Sequence, residues 1–142
     1  MTQLSFKVVN AGKIKTAFHN LGAKLPKVAS SRLKKFIERL KKRMKIYPAQ
    51  RSTAGRKRYV RTYKLREGWK VVNVSPLKYT LKNTTHYTKW VVGTAYGTMQ
   101  AWMHEGHWTT LRDAADDEMK SLPENYAKDI KVVARREGLR VR

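Results

Sequence analysis

The sequence predicts an α+β fold: N-terminal helices packed on a small antiparallel β-sheet, with C-terminal helices. Three observations point there. From about residue 26 to 46, apolar residues recur at helical spacing. Between residues 59 and 94, short runs of β-branched and aromatic residues alternate with turn residues. Residues 110–138 return to helical spacing behind a capping signal. With 142 residues the chain fits one domain, and a chain of that size buries roughly two thirds of its unfolded surface, so its core needs no staples. It has no cysteine, which excludes a disulfide framework, thiolate metal sites and a cysteine nucleophile.

The elements follow in order. Residues 4–9 suit a short strand. Asn10 or Gly12 opens a helical stretch with Ile14, Phe18 and Leu21 on one face. Gly22 and Pro26 interrupt it, and Pro26, at home in a first helical turn, begins a second helix. In that helix Leu33, Ile37, Leu40 and Met44 recur at four, three and four residues, with Val28 and Phe36 widening the stripe. Its other faces carry Lys27, Arg32, Lys34, Lys35, Arg39, Lys41, Lys42, Arg43 and Lys45, so residues 1–46 read as a basic helical arm. Pro48 makes Tyr47 the exit point, because the residue before a proline avoids the helical region. Residues 47–58 read as an exposed basic loop. Strands are expected at Tyr59–Tyr63, Trp69–Val74, Leu77–Asn83 and Tyr87–Val92, with turns at Ser75-Pro76 and Asn83-Thr84-Thr85, giving an antiparallel meander over 59–94. Residues 95–109 form a Gly- and aromatic-rich loop. Thr110-Leu111-Arg112-Asp113 resembles a capping box with Asp in place of Glu. The helix it opens runs to about Leu122; Ser121-Leu122-Pro123-Glu124 then starts a final helix, with Ile130 and Val133 on its buried side and Gly138 at its C-terminal cap. No apolar run approaches the roughly 18 residues of a membrane span, and the first residues lack the apolar stretch of a signal peptide, so neither is expected.

The charge is the unusual quantity. The formal net charge is +22, from 32 Lys and Arg against 10 acids. Residues 1–70 hold 21 of those cations against only Glu38 and Glu67. Such an excess opposes compaction by self-repulsion, so a polyanion or an acidic partner is expected outside the chain. Arg51, Arg56, Lys57, Arg58 and Arg61 stand among Tyr59, Tyr63 and Trp69, and Lys34, Lys35, Lys41 and Lys42 line the helix before them. Cations with interleaved aromatics suit phosphate contact and stacking. There is no RNP1 signature, KH loop or zinc-finger spacing, so a dedicated sequence reader is not expected.

Three places carry residue types suited to chemistry. His104 and His107, three residues apart, have a spacing that can share a metal, with Asp113 or Asp116 as a third ligand. Gly106 argues against the helix that the metalloprotease pattern needs, and the alternative is a packed loop with the imidazoles against Trp102 and Trp108. Asp113, Asp116, Asp117 and Glu118 form an acidic cluster that suits a helix N-terminus. It also suits pairing with the basic half, within the chain or on a neighbouring subunit. His86, Tyr87, Lys89 and Arg61 would have to converge across a sheet for metal-free ribonuclease chemistry. No phosphate-cradling glycine motif and no serine nucleophile elbow occurs. The expectation is a binding protein, with no catalytic residue, metal or cofactor assigned. Its alternatives are a basic nucleic-acid-binding accessory protein and a small metal-free ribonuclease.

Three segments, taken in order, resemble one family. Tyr47-Pro48, followed after a spacer by Tyr59-Val60-Arg61-Thr62-Tyr63-Lys64-Leu65-Arg66-Glu67-Gly68-Trp69, resembles a segment of tailed-bacteriophage neck and tail-completion proteins, those grouped around the tenth gene product of phage HK97. In that pattern a glycine stands where Tyr63 is, and a small residue plus serine where Glu67-Gly68 is. Asn83 to Thr94 looks like a second segment, with its Tyr87, valine and closing Gly93-Thr94; Thr88 replaces a small residue. Gln100-Ala101-Trp102-Met103-His104-Glu105-Gly106-His107-Trp108 resembles a third, with His107 where arginine is usual. The resemblance implies structural roles for Tyr47, Pro48, Tyr59, Leu65, Trp69, Tyr87 and Gly93. It implies a packed or inter-subunit loop around Trp102, His104, His107 and Trp108. It also implies a homo-oligomeric ring, a hexamer by the family's habit, in the virion neck or upper tail. Portal, connector and tail proteins would be its partners, with non-specific DNA contact possible in principle, no membrane, and host cytoplasm as the site of assembly.

Overall fold

The computed structural model describes residues 11–50, 62–94 and 99–140. The strand expected at residues 4–9, most of that at Tyr59–Tyr63, and Arg51, Arg56, Lys57, Arg58, Tyr59 and Arg61 lie outside them. The architecture is α+β: a long N-terminal helix, a two-stranded antiparallel sheet and C-terminal helices.

One helix, α1 (Ala11–Met44), replaces the expected pair and runs straight through Gly22 and Pro26. Pro26 lacks the N–H that would bond the carbonyl four residues back, and its ring crowds that carbonyl. That residue is Gly22, whose peptide tilts most readily. The last helix also splints the proline: Lys24 pairs with Glu137 and Arg32 with Asp129, one on either side of it. Beyond this splint Ile14 and Phe18 are exposed, so among the described residues nothing covers these two members of the expected apolar face, whereas Leu21 is half-buried.

The chain leaves α1 through Tyr47-Pro48. Tyr63 takes a left-handed backbone, φ 58° and ψ 4°, before the short helix α2 (Lys64–Glu67). Strands β1 (Trp69–Ser75) and β2 (Lys78–Asn83) form a hairpin around Pro76-Leu77, with Trp69 opposite Asn83 and Val71 opposite Leu81. Val71, Tyr79 and Leu81 pack against the core, and Tyr79 Oη lies 3.1 Å from Ser30 Oγ on α1.

The expected strand at Tyr87–Val92 is instead helix α3 (Thr88–Val92). The Thr88 N–H and hydroxyl both donate to the Thr85 carbonyl, at 3.1 and 2.6 Å, closing a helical turn. Val91 and Val92 are consecutive and both buried, whereas a strand would send them to opposite faces. The meander is therefore a hairpin plus helical turns. After a 3-10 turn at Trp102–His104 come α4 (Leu111–Lys120) and α5 (Leu122–Arg136). The Thr110 hydroxyl caps α4 by accepting from the Asp113 N–H at 3.0 Å, as the capping box predicts. Pro123 sits in the first turn of α5. Its C-terminus closes as a Schellman motif, with Gly138 N–H to Arg135 O and Leu139 N–H to Ala134 O, both 3.0 Å.

The core collects Ile37, Leu40 and Met44 from α1, then Leu65, Trp69, Val91, Val92 and Ala114. Tyr47, Tyr87, Trp108 and Leu111 pack at its rim. It sits at the C-terminal half of α1, where the three resembling segments meet.

Candidate functional site

Helix α1 divides its surface into three sectors. At about 100° per residue, Leu33, Ile37, Leu40 and Met44 share the core-facing stripe, and from Lys27 onward the other two sectors sort the cations by type. Arg32, Arg39 and Arg43 fall on the side that α4 and α5 cover. Arg32 Nε donates to Asp129 Oδ2 at 2.7 Å. Arg39 Nε lies 2.9 Å from Glu118 Oε2, an ion pair without hydrogen-bond alignment. Arg43 Nη2 donates to Asp117 Oδ2 at 2.6 Å. With Lys24–Glu137 the pairs run in opposite order along α1 and along α4–α5, which fixes the helices antiparallel. Of the two pairings open to the acidic cluster, the one with the chain's own basic half is present. Lys120 and Arg43, in that order, hold the Asp117 carboxyl below its ordinary range, and Asp117 in turn raises Lys120. Lys24 holds Glu137 down in the same way.

The third sector is lysine. Lys27, Lys34, Lys35 and Lys42 are exposed, and none of their ammonium groups makes a hydrogen bond or ion pair among the described residues. Lys41, half-buried at the sector's edge, lies 3.8 Å from Glu38, the sector's one acid. Four of the expected contact residues, Lys34, Lys35, Lys41 and Lys42, are thus on one side of one helix. On the hairpin's outer face Lys70 stands directly opposite Lys82, a like-charge pairing that costs stability.

The Gln100–Trp108 loop is tied by a side chain that sequence reasoning did not single out. Gln100 Nε2 donates to the carbonyls of Val91 at 2.9 Å and Trp108 at 3.0 Å, and the Ala101 N–H donates to Trp90 O at 2.8 Å. The signal available for it was its place at the head of the third segment. His104 meets the Trp108 ring edge-on with centroids 6.2 Å apart, and its carbonyl accepts from the N–H groups of His107 and Trp108. Trp108 packs against Tyr47, 4.9 Å away, and Tyr47 stacks on Tyr63. Trp102 is 80 % exposed. So His104 and Trp108 belong to packed structure, while Trp102 faces outward. Among the described residues no three His, Cys, Asp or Glu side chains gather as a metal site.

His86, Tyr87 and Lys89 do not converge across a sheet. They lie along the entry to α3, where His86 meets Tyr87 edge-on at 5.3 Å and the Lys89 ammonium sits 4.9 Å from the centre of the Trp90 ring. His86 and Lys89 border an open cleft of about 380 Å³ lined by Trp69, Asn83, Thr85, Thr88 and others. Most of its polar groups serve the chain itself: Asn83 bonds Leu65 O and Thr85 N–H, both at 2.8 Å. The buried Trp69 indole N–H has no partner among the described residues. Among the described residues no helix is long and apolar enough to cross a membrane.

In comparisons with known proteins, no family model, no curated protein and no solved structure matches the chain.

Proposed function

We propose that this chain is a structural protein of a tailed-phage virion neck or upper tail, joining head to tail as a component of a homo-oligomeric ring. One observation supports this reading above the others. The resembling pattern carries glycines at the positions of residues 63 and 106 and a closing Gly-Thr that Gly93-Thr94 matches one residue early, and the backbone has positive φ at all three: 58° at Tyr63, 72° at Gly93 and 65° at Gly106. Gly93, with ψ −179°, occupies a region that is essentially glycine's alone. Residues spread over three separate segments, Tyr47, Leu65, Trp69, Tyr87 and Trp108, also meet in one core. A pattern matched by chance has no reason to place its glycines at left-handed turns and its aromatics in mutual contact.

The departures have local causes. Gly68 replaces the pattern's serine where an added Cβ would lie 2.5 Å from Asn83 Oδ1. In this reading the ring's partners are portal, connector and tail proteins. Gold-labelled antibody against this chain should decorate the head–tail junction of the parent phage in negative stain. Virions that lack the chain, or carry it elsewhere, overturn the assignment.

A further inference from the structure

The sorting of cations on α1 carries an inference beyond the neck reading and independent of it. Arginine's planar fork suits carboxylates, and the arginines of this helix are spent on Asp129, Glu118 and Asp117. Lysine is a compact point charge that needs no matched geometry. Lys27, Lys34, Lys35 and Lys42 are exposed and have no acid of their own among the described residues. They fall in a sector of about 100° and, at about 1.5 Å per residue, span about 22 Å along the helix. We propose that this lysine face of α1 holds the backbone of duplex nucleic acid without reading its sequence.

Two features favour a phosphate backbone over an acidic protein. The sector between Lys27 and Lys42 holds Ser31 and Glu38 but no large apolar side chain, whereas a specific protein–protein interface has an apolar centre. The lysines run along one helix with no matched geometry among them, which suits a duplex that presents a charge about every 1.7 Å of axis. Contacts of this kind release counterions, so they are read from salt dependence rather than from affinity alone.

The test uses the full chain and a fluorescein-labelled duplex of random sequence, with anisotropy titrations across a salt series. Against the native chain stands the variant Lys27→Gln/Lys34→Gln/Lys35→Gln/Lys42→Gln. At about 0.9 per phosphate contact, the slope of log K against log salt should fall by about three to four in magnitude, equally for unrelated duplex sequences. A second variant, Lys34→Gln/Lys35→Gln, should lose about two, so the result does not hang on one protein's folding. An unchanged slope overturns the proposal. So does tighter binding of the native chain to poly-glutamate of matched charge, which would assign the face to an acidic protein. Absence of the chain from virions would sink the neck reading and leave this slope where it is.

Discussion

Tyr63 holds φ 58°, a conformation that costs an L-residue with a side chain about 1–2 kcal/mol. What it receives in return is a parallel stack on Tyr47, with centroids 5.2 Å apart and planes 10° from parallel, worth about 0.5–1.5 kcal/mol. The two nearly cancel, so Tyr63→Gly should stay within about 1 kcal/mol of native stability. Tyr63→Ala loses the stack and keeps the strain. It should be less stable than the glycine variant by about 1–2 kcal/mol, the reverse of the order in a helix interior. Urea midpoints of the three proteins decide it; alanine equal to or better than glycine would mean that the turn is not left-handed in solution. The same bookkeeping explains how a tyrosine stands where the resembling pattern has glycine: the ring's contact with Tyr47 replaces the freedom that is lost.

Between elements, the antiparallel seating of α4–α5 on α1 is fixed by charge as much as by burial. Asp117 and Glu137 have folded pKa values below their ordinary ones, through Lys120 and Arg43 for the first and Lys24 for the second. A depressed carboxylate contributes stability above its unfolded pKa and loses it as the pH falls through the folded value. The native chain should therefore lose melting temperature more steeply than Asp117→Asn/Glu137→Gln between about pH 5 and about pH 2.5, and the two should converge at the acid end. Parallel curves would show that these pairs are equally formed in the unfolded chain. This seating was half legible in the sequence. The acids of α4 were readable as partners for the basic half, but nothing in a linear pattern says that they meet it in the same chain. The capping box, the α5 start and the hairpin were legible because Thr110, Pro123 and Ser75-Pro76 act locally. Pro26 misled for the converse reason: the force that carries the helix across it comes from α5, a hundred residues on, through Glu137 and Asp129. Tyr87–Val92 misled because β-branched residues favour strands only where a pleated surface receives them, and here the core takes Val91 and Val92 together. At the site, composition marked Lys34, Lys35, Lys41 and Lys42, but only the helix-on-helix packing separates the free lysines from the engaged arginines.

For the whole molecule, a net charge of +22 means that fold and binding face pull in opposite directions. Lysines seven residues apart on α1 are separated by about 10 Å along its axis, about one Debye length at 0.1 M salt. Their repulsion is felt in dilute buffer and largely screened near physiological ionic strength. The interhelix ion pairs are screened as well, but at contact distances, and surface pairs contribute only about 0–1 kcal/mol each. Repulsion among the unpaired cations is the larger sum, so added salt should raise the native melting temperature between about 20 mM and about 0.3 M. Removing four of those cations in Lys27→Gln/Lys34→Gln/Lys35→Gln/Lys42→Gln should do the same without salt. In dilute buffer that variant should melt about 3–6 °C higher than the native chain, the equivalent of one or two kcal/mol in a domain of this size, and its salt dependence should be shallower. Such a gain, in the protein whose salt slope for duplex binding collapses, would mean that these lysines are kept at the expense of the fold. A lower melting temperature for the variant would mean the opposite: that the lysines stabilise the folded chain through partners of their own, and that the division of α1 into engaged arginines and free lysines does not hold in solution.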